Sequence, residues 1–291
     1  MSDFPDLYAL LIRLRPERGD SPPDAQGHQA QALFLDLVRQ VDPELSQALH
    51  APALSKPFTV AMLNQGPGVR EQGMGASGNL SLRPQSPPPD RRTLELRVTL
   101  LRADLFAPFT RALLQQSGLS ALRLGRAALA LAEVWGTLGS HAWAGYTSFA
   151  ALAQAVRPTS QVTLEFATPT AFSQATLADG RKRLGLLPAP ETVFGSIARR
   201  WNELAPPALT IELELLAAAC ADTLITRYTL ETRQINLGKG PQKGFAGLCT
   251  YELPAALDQR RTLTLLADAV FYLGIGMKTA RGMGLCRRIE N

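Results

Sequence analysis

The order in which strand-type and helix-type segments follow one another restricts this chain's fold more than any other feature, because the same order occurs twice. Residues 7–14 alternate loosely around Leu, Tyr and Ile and predict a strand. From Gln29 onward, Leu33, Leu37 and Val38 recur at helical spacing. Pro43 opens a second short helix running to about His50, with Asp42 placed to cap it. Residues 57–63 are a short β-type run, and 93–101 (TLELRVTLL) alternate as a strand. A helix over 106–116 and an apolar strand over 124–135 complete the first set. The second set opens with a strand at 161–167 (QVTLEFA). A proline-started helix over 190–204 carries Val193, Ile197, Trp201 and Leu204 on one stripe. A long strand over 223–237 then pairs with 245–253 across the turn-rich 238–244. A helix over 257–273 and a strand over 285–289 follow.

Each set reads β-α-β-β-α-β, the split βαβ order, so the expected class is α+β with two tandem ferredoxin-like domains. Pro158 marks the boundary, giving domains 1–157 and 158–291, and 291 residues are enough for two. The repetition is one of pattern, with no residue-level repeat. Polar, Pro- and Gly-containing residues 15–27 read as a loop. Residues 64–92, dense in Gly, Pro, Gln and Ser, read as a long excursion. The stretch 136–159 is mixed.

Composition excludes several classes. Hydrophobic residues are 46% and charged residues 19% of the chain, which supports a globular core. The longest apolar runs, such as 127–132, break at a charge far short of the ~20 residues a membrane helix needs. Asp3 and Asp6 stand where a signal peptide would be positive, so a cytoplasmic location away from membranes is expected. Cys220, Cys249 and Cys286 are scattered, fit neither a disulfide framework nor a zinc site, and agree with a reducing compartment. No Asp, Glu, His or Cys cluster has ligand spacing, so neither metal nor cofactor is expected. The formal net charge of +5 and pI near 9.4 suit a polyanionic partner without deciding for one.

The most distinctive motif is GIGMKTARGMG at 274–284. Gly274 and Gly276, then Gly282 and Gly284, bracket a loop bearing Lys278 and Arg281, between a helix and the last strand. Glycines let a backbone take positive φ and approach a ligand, so such a loop can line a phosphate nest with its N–H groups. Two other nucleotide loops fail on spacing. A Walker loop needs Gly before Lys-Thr, where Met277 stands, and a Rossmann loop needs the strand first and the helix second. The plain alternative is a glycine-rich turn with two solvated charges.

Two Gly-apolar-Gly pairs five residues apart, before a last strand, resemble the signature of the repeat-associated RAMP proteins. Other segments resemble the Cas6 family within that group. They are LEFATPT at 164–170, LPAPETVF at 187–194 followed by Arg200-Trp201-Asn202, and Leu49-His50 with KPFT at 56–59. The resemblance implies two ferredoxin-like domains that bind a CRISPR repeat in precursor CRISPR RNA. It implies metal-independent cleavage, in which the RNA's own 2′-hydroxyl attacks to leave a 5′-hydroxyl and a 2′,3′-cyclic phosphate. By position, His50 is the expected proton-transfer residue and Lys56 the cation near the scissile phosphate. Histidine suits the role, since a pKa of about 6.5 keeps both forms accessible near neutrality. A lone histidine at a helix C-terminus is otherwise a cap favoured by the dipole, and Lys56 otherwise a solvated lysine. Some members place a tyrosine on the first helix, where this chain has Leu35, so either another group such as Ser46 or Ser55 assists or His50 and Lys56 act without a third partner. His28, just ahead of the first helix, could reach the same cleft but reads as a surface residue, and His141 receives no role.

Further basic residues form two clusters expected to touch RNA. Arg181, Lys182 and Arg183 lie between a strand and a helix of the second domain, and Arg227, Arg233, Lys239 and Lys243 mark the long hairpin. Arg199-Arg200 and Arg260-Arg261 read as solvated helix faces. The rival function is a RAMP subunit that holds CRISPR RNA in an effector complex without cutting it. Homodimer formation stays open at this level.

Overall fold

A computed structural model of the chain describes residues 5–17, 27–53, 55–63, 93–115, 122–125, 127–176, 178–180, 182–238 and 240–290. The excursion expected over 64–92 lies outside these residues, as do most of the 15–27 loop, Arg181 and Lys239.

The first half runs β1 (Leu7–Pro16), α1 (Gly27–Val41), α2 (Pro43–His50), β2 (Phe58–Leu63), β3 (Leu94–Leu100), α3 (Phe106–Gln115), β4 (Leu122–Leu124) and β5 (Ala127–Trp135). Its antiparallel sheet has the order β2-β3-β1-β5-β4, with β6 (Gly145–Thr147) also pairing β1. Asp42 caps α2 as the sequence predicts, its carboxylate accepting the Leu45 N–H at 2.8 Å, with Pro43 at the first turn. Every residue of β3 is buried. Leu94, Leu96, Val98 and Leu100 pack with Leu33, Phe34, Leu37, Phe109 and Leu113 of α1 and α3. Glu95, Arg97 and Thr99 point to the other face, which a solvated antiparallel sheet would leave wet. That face is covered jointly, by Trp143 of the first half and Phe271 of the second, whose carbonyls both accept from Arg97.

After α4 (Phe149–Ala155), the second half runs β7 (Gln161–Thr170), β8 (Phe172–Thr176), β9 (Lys182–Gly185), α5 (Pro190–Leu204), α6 (Leu213–Ala221), β10 (Leu224–Asn236), β11 (Pro241–Glu252), α7 (Leu257–Leu273) and β12 (Cys286–Ile289). Its main sheet has the order β10-β11-β7-β12, and β8 pairs β9 in a separate hairpin. Both halves thus place the second, third, first and fourth motif strands side by side, the ferredoxin-like arrangement. Trp201 on α5 is fully buried and donates its indole N–H to the Leu209 carbonyl at 2.8 Å.

The halves share their cores. Leu7, Ala9, Leu101, Phe149 and Val156 cluster with the second-half helices, and Ala280 of the glycine loop sits in the first-half core. Arg97 crosses between the layers, 1% exposed, donating to the carbonyls of Trp143 (2.9 Å) and Phe271 (2.6 Å) over the Phe271 ring. Burial pulls its pKa down to about 9, and the hydrogen bonds and ring face offset the cost of enclosing the charge.

The structure differs from the sequence expectations in three places. The strand expected over 124–135 folds back at Gly125 (φ 62°) into β4 and β5. Helix α6 and the β8–β9 hairpin lie in two stretches to which the sequence pattern assigns no element. No helix of the described residues is long and apolar enough to cross a membrane.

Candidate RNA-processing site

His50 is the last residue of α2 and is exposed. Lys56 follows six residues on, at the entry to β2, and folds back over the end of that helix. Its ammonium donates to the carbonyls of Leu49 (2.8 Å), His50 (3.2 Å) and Ala51. A cation on the last carbonyls of a helix is favoured by both hydrogen bonding and the dipole. Lys56 is therefore not the freely solvated lysine of the plain alternative. Partial burial lowers its pKa, and the nearby Arg281 guanidinium lowers it further. The Gly282 N–H donates to the Val60 carbonyl at 2.9 Å, which sets the glycine loop against β2, the strand that the Lys56 segment enters.

The loop follows α7. Gly274, Gly276, Gly282 and Gly284 all have positive φ, and so does Lys278 (φ 58°), alone among the described non-glycine residues. Each of the four glycines has a protein neighbour where a side chain would start. A Cβ would lie 2.5 Å from the Ala171 carbonyl oxygen at Gly276, 1.9 Å from that of Ile275 at Gly284, and 3.0 Å from Gly27 Cα at Gly282. The N–H groups of the loop are largely taken up by the protein. Ile275 donates to Gly284, Gly276 to Ser196 Oγ, Met277 to Ala171, Gly282 to Val60 and Gly284 to Pro169. The expected nest of free N–H groups is absent at those residues, because the same glycines that permit close approach bring the loop against protein. What the loop turns outward is the exposed Lys278 and Arg281 side chains. Lys278 Nζ donates to Gln242 Oε1 at 2.8 Å, and Arg281 Nε to Gln31 Oε1 at 3.0 Å.

The Arg281–Gln31 and Gly282–Val60 bonds stitch the second half onto α1 and β2. The first residue of α1, Gly27, lies against the loop and Ile235 of the long hairpin. Gly238, at the hairpin turn, lies 3.4 Å from the His28 ring, measured from where its Cβ would be. His28 is thus inside α1 and partly covered, with a buried Nδ1 that has no hydrogen-bond partner, rather than on the open surface ahead of the helix. Arg200 is a larger correction. Instead of facing solvent, it donates to Thr279 Oγ1 (2.6 Å), the Lys56 carbonyl (2.9 Å) and the Phe58 carbonyl (3.3 Å). Sequence reading missed it, although an arginine flanking the Val193–Ile197–Trp201 stripe is a signal that the stripe's edge is covered.

Leu35 is in the first core, and Ser46, 6% exposed, donates its hydroxyl to the Leu35 carbonyl at 2.8 Å. Ser46 therefore ties α2 to α1 and is not aimed at a substrate, while Ser55 stays half-buried in the segment before Lys56. His141 is buried beside Trp135, its Nδ1 accepting the Trp143 N–H, and burial lowers its pKa. Of the hairpin cations, Arg233 pairs with Glu231 on the same strand, while Arg227 and Lys243 are exposed. Arg183 is exposed on β9, which starts at Lys182. Among the described residues no group of three His, Cys, Asp or Glu is placed to hold a metal ion.

Two ferredoxin-like units in tandem, with a glycine-rich, cation-bearing loop of the second docked on α1 and β2 of the first, define a RAMP-type architecture. The model of the CRISPR Cas6 N-terminal domain matches residues 6–154, and that of the CRISPR-associated endoribonuclease Cas6 matches residues 164–286. The chain belongs to the Cas6 family. A CRISPR-associated endoribonuclease Cas6 from Streptococcus thermophilus is 28% identical over 120 residues, 41% of this chain and 46% of that relative, so the chain matches less than half of its length. Solved structures agree along nearly the whole chain. Thermus thermophilus Cas6 is 28% identical with a TM-score of 0.72, covering 99% of this chain and 100% of that one. Its product complex is 31% identical with a TM-score of 0.80, covering 98% and 100%. A Cas6-related protein from Pyrococcus furiosus, 11% identical with a TM-score of 0.61 over 98% and 99%, shares the fold.

Proposed function

We propose that this chain is an endoribonuclease that binds precursor CRISPR RNA and cuts each repeat at one phosphodiester, through halves spanning 1–157 and 158–291. The observation that carries the reading is the junction itself. Lys56 holds the His50 carbonyl and opens the strand onto which the glycine loop docks through Gly282 and Val60, while Arg281 of the same loop reaches Gln31 of α1, and this supports the reading. No metal is required in this reading, because the nucleophile is the RNA's own 2′-hydroxyl. Its oxygen bonds to phosphorus, its proton leaves to a base, and the 5′-oxygen departs with a proton from an acid. The products are a 2′,3′-cyclic phosphate and a 5′-hydroxyl. His50 is the proton-transfer group, and Lys56 and Arg281 offset the charge that develops on the phosphorane. The glycine residues 274, 276, 282 and 284 hold the loop in place for Lys278 and Arg281. Arg233, Lys239 and Lys243 on the long hairpin, with Arg181, Lys182 and Arg183 around β9, track phosphates. The working compartment in this reading is the cytoplasm.

The test is a cognate repeat transcript incubated with the protein in EDTA, with the product ends analysed. Cleavage at one position, leaving a cyclic phosphate, supports the reading. Activity abolished by EDTA and restored by magnesium overturns the metal-free chemistry. One observation favours a second reading, a RAMP subunit that holds CRISPR RNA without cutting. Leu35 is buried where a tyrosine could complete the site, and Ser46 is tied to its carbonyl. Tight binding with no cleavage, and co-elution with other effector subunits or as a dimer, would select it.

A further inference from the structure

Among the described residues, three polar side chains are fully enclosed at one atom and lack a hydrogen-bond partner there: Arg13, His28 and Arg200. Arg200 differs from the other two in what its remaining donors hold. One terminal nitrogen donates to Thr279 Oγ1 in the short helical turn Thr279–Arg281 of the glycine loop. The other donates to the carbonyls of Lys56 and Phe58, the residues that begin β2. One turn earlier on the same face of α5, Ser196 Oγ accepts the Gly276 N–H at 3.0 Å. Helix α5 thus grips the loop at two points, and at the second it also grips the segment that carries Lys56. We propose that Arg200 is a positioning residue, a fork that sets the spacing between the Lys56 segment and the loop cations Lys278 and Arg281. This inference rests on the endoribonuclease reading given above.

Arginine fits the task for a geometric reason. A planar guanidinium directs several N–H groups in fixed directions, whereas a lysine ammonium is one point on a flexible stem. Burial lowers the Arg200 pKa to about 10, with Glu203 partly opposing that shift, so the side chain is still a cation near neutrality. The bonds go to two carbonyls and a hydroxyl. The role is therefore one of direction more than of charge neutralisation. A cleavage geometry is sensitive to displacements of about 1 Å, with losses on the order of 10²-fold.

The experiment uses R200K, which keeps the charge and loses the fork, and T279V, which removes only the hydroxyl acceptor. Two quantities are read in the full-length protein. The first is hydrogen exchange of the Gly282 amide, which donates to the Val60 carbonyl across the same junction. The second is single-turnover cleavage, measured beside repeat affinity. In R200K we expect the Gly282 amide to exchange at least about tenfold faster and cleavage to slow roughly 10- to 100-fold. Affinity should stay within about threefold. T279V should shift both readouts the same way by less. An unchanged Gly282 amide in folded R200K and T279V overturns the proposal, whether or not the protein cuts RNA. So does a rise in Kd that matches the loss of rate, since that marks a binding residue. If the wild-type protein never cleaves, the endoribonuclease reading fails by itself and the exchange result still decides the clamp.

Discussion

At the residue scale, Lys56 has two physical tasks. Its ammonium closes the carbonyl end of α2, and it is the closest described lysine in sequence to His50. Lys56→Ala should therefore cost stability as well as rate. Uncovering the helix-end carbonyls amounts to about 0.5–1.5 kcal/mol, measurable by urea unfolding. Cleavage should slow with some loss of affinity, since a cation near the phosphate helps bound substrate and transition state alike. His50→Ala should separate these effects. Its side chain is exposed and no core packing depends on it, so stability should hold within about 0.5 kcal/mol. Single-turnover cleavage should fall by roughly 10²–10⁴ while affinity for a repeat with the nucleophilic 2′-hydroxyl removed stays near wild type. A His50→Ala protein that cuts at the wild-type rate would place the proton transfer elsewhere.

At the scale of elements, the glycine loop has to satisfy both backbone and charge. Gly276→Val puts a branched side chain at φ 71° within 2.5 Å of a carbonyl oxygen, and the backbone strain alone is worth about 1–3 kcal/mol. A large drop in urea midpoint is expected, with circular dichroism showing whether β12 survives. Lys278→Ala with Arg281→Ala should leave the fold intact and flatten the salt dependence of repeat binding. The expected change in slope is about 1.4–1.8, for two phosphate contacts at ~0.7–0.9 each. The three cysteines give a control on packing. Burial raises all three thiol pKa values, that of Cys220 to about 12, so each stays protonated and covered at pH 8. Iodoacetamide should label all three only after unfolding.

These elements also show what was legible beforehand. Helix α5 could be read to the residue, because Pro190 starts it and its apolar residues keep a 3.6 period. The α2 cap could be read because Asp42-Pro43 has a local mechanism. Helix α6 could not: LELLAAACA is apolar on every side, and no side chain caps its start. The 274–284 loop could be found by its glycines, but not the fact that its N–H groups are used internally. That depends on Pro169, Ala171, Ser196 and Val60, which no spacing connects to it. Arg200 was misread for the same reason, since its partners lie 144 and 79 positions away.

On the scale of the whole molecule, the two sheets are distinct in pairing yet continuous in packing. Leu7 and Ala9 of β1, Leu101 after β3, and Phe149 with Val156 complete the second-half core. A fragment of residues 158–291 should consequently lose part of its own core and fail to fold cooperatively. The full chain should unfold in one transition, with near-ultraviolet and far-ultraviolet circular dichroism coinciding. A fragment with a sharp, native-like melt would show that the halves are independent.

The docking of the glycine loop on α1 and β2 also puts a clock on the protein. Chains are synthesised from the N-terminus at about 5–20 residues per second. The His50–Lys56 segment therefore leaves the ribosome on the order of 10–45 s before Thr279, Arg281 and Gly282, which complete its surroundings. During that interval the nascent chain carries the histidine and lysine without the loop that faces them. In the endoribonuclease reading, a growing polypeptide beside its own message is expected to gain the capacity to cut RNA only when its translation is nearly complete.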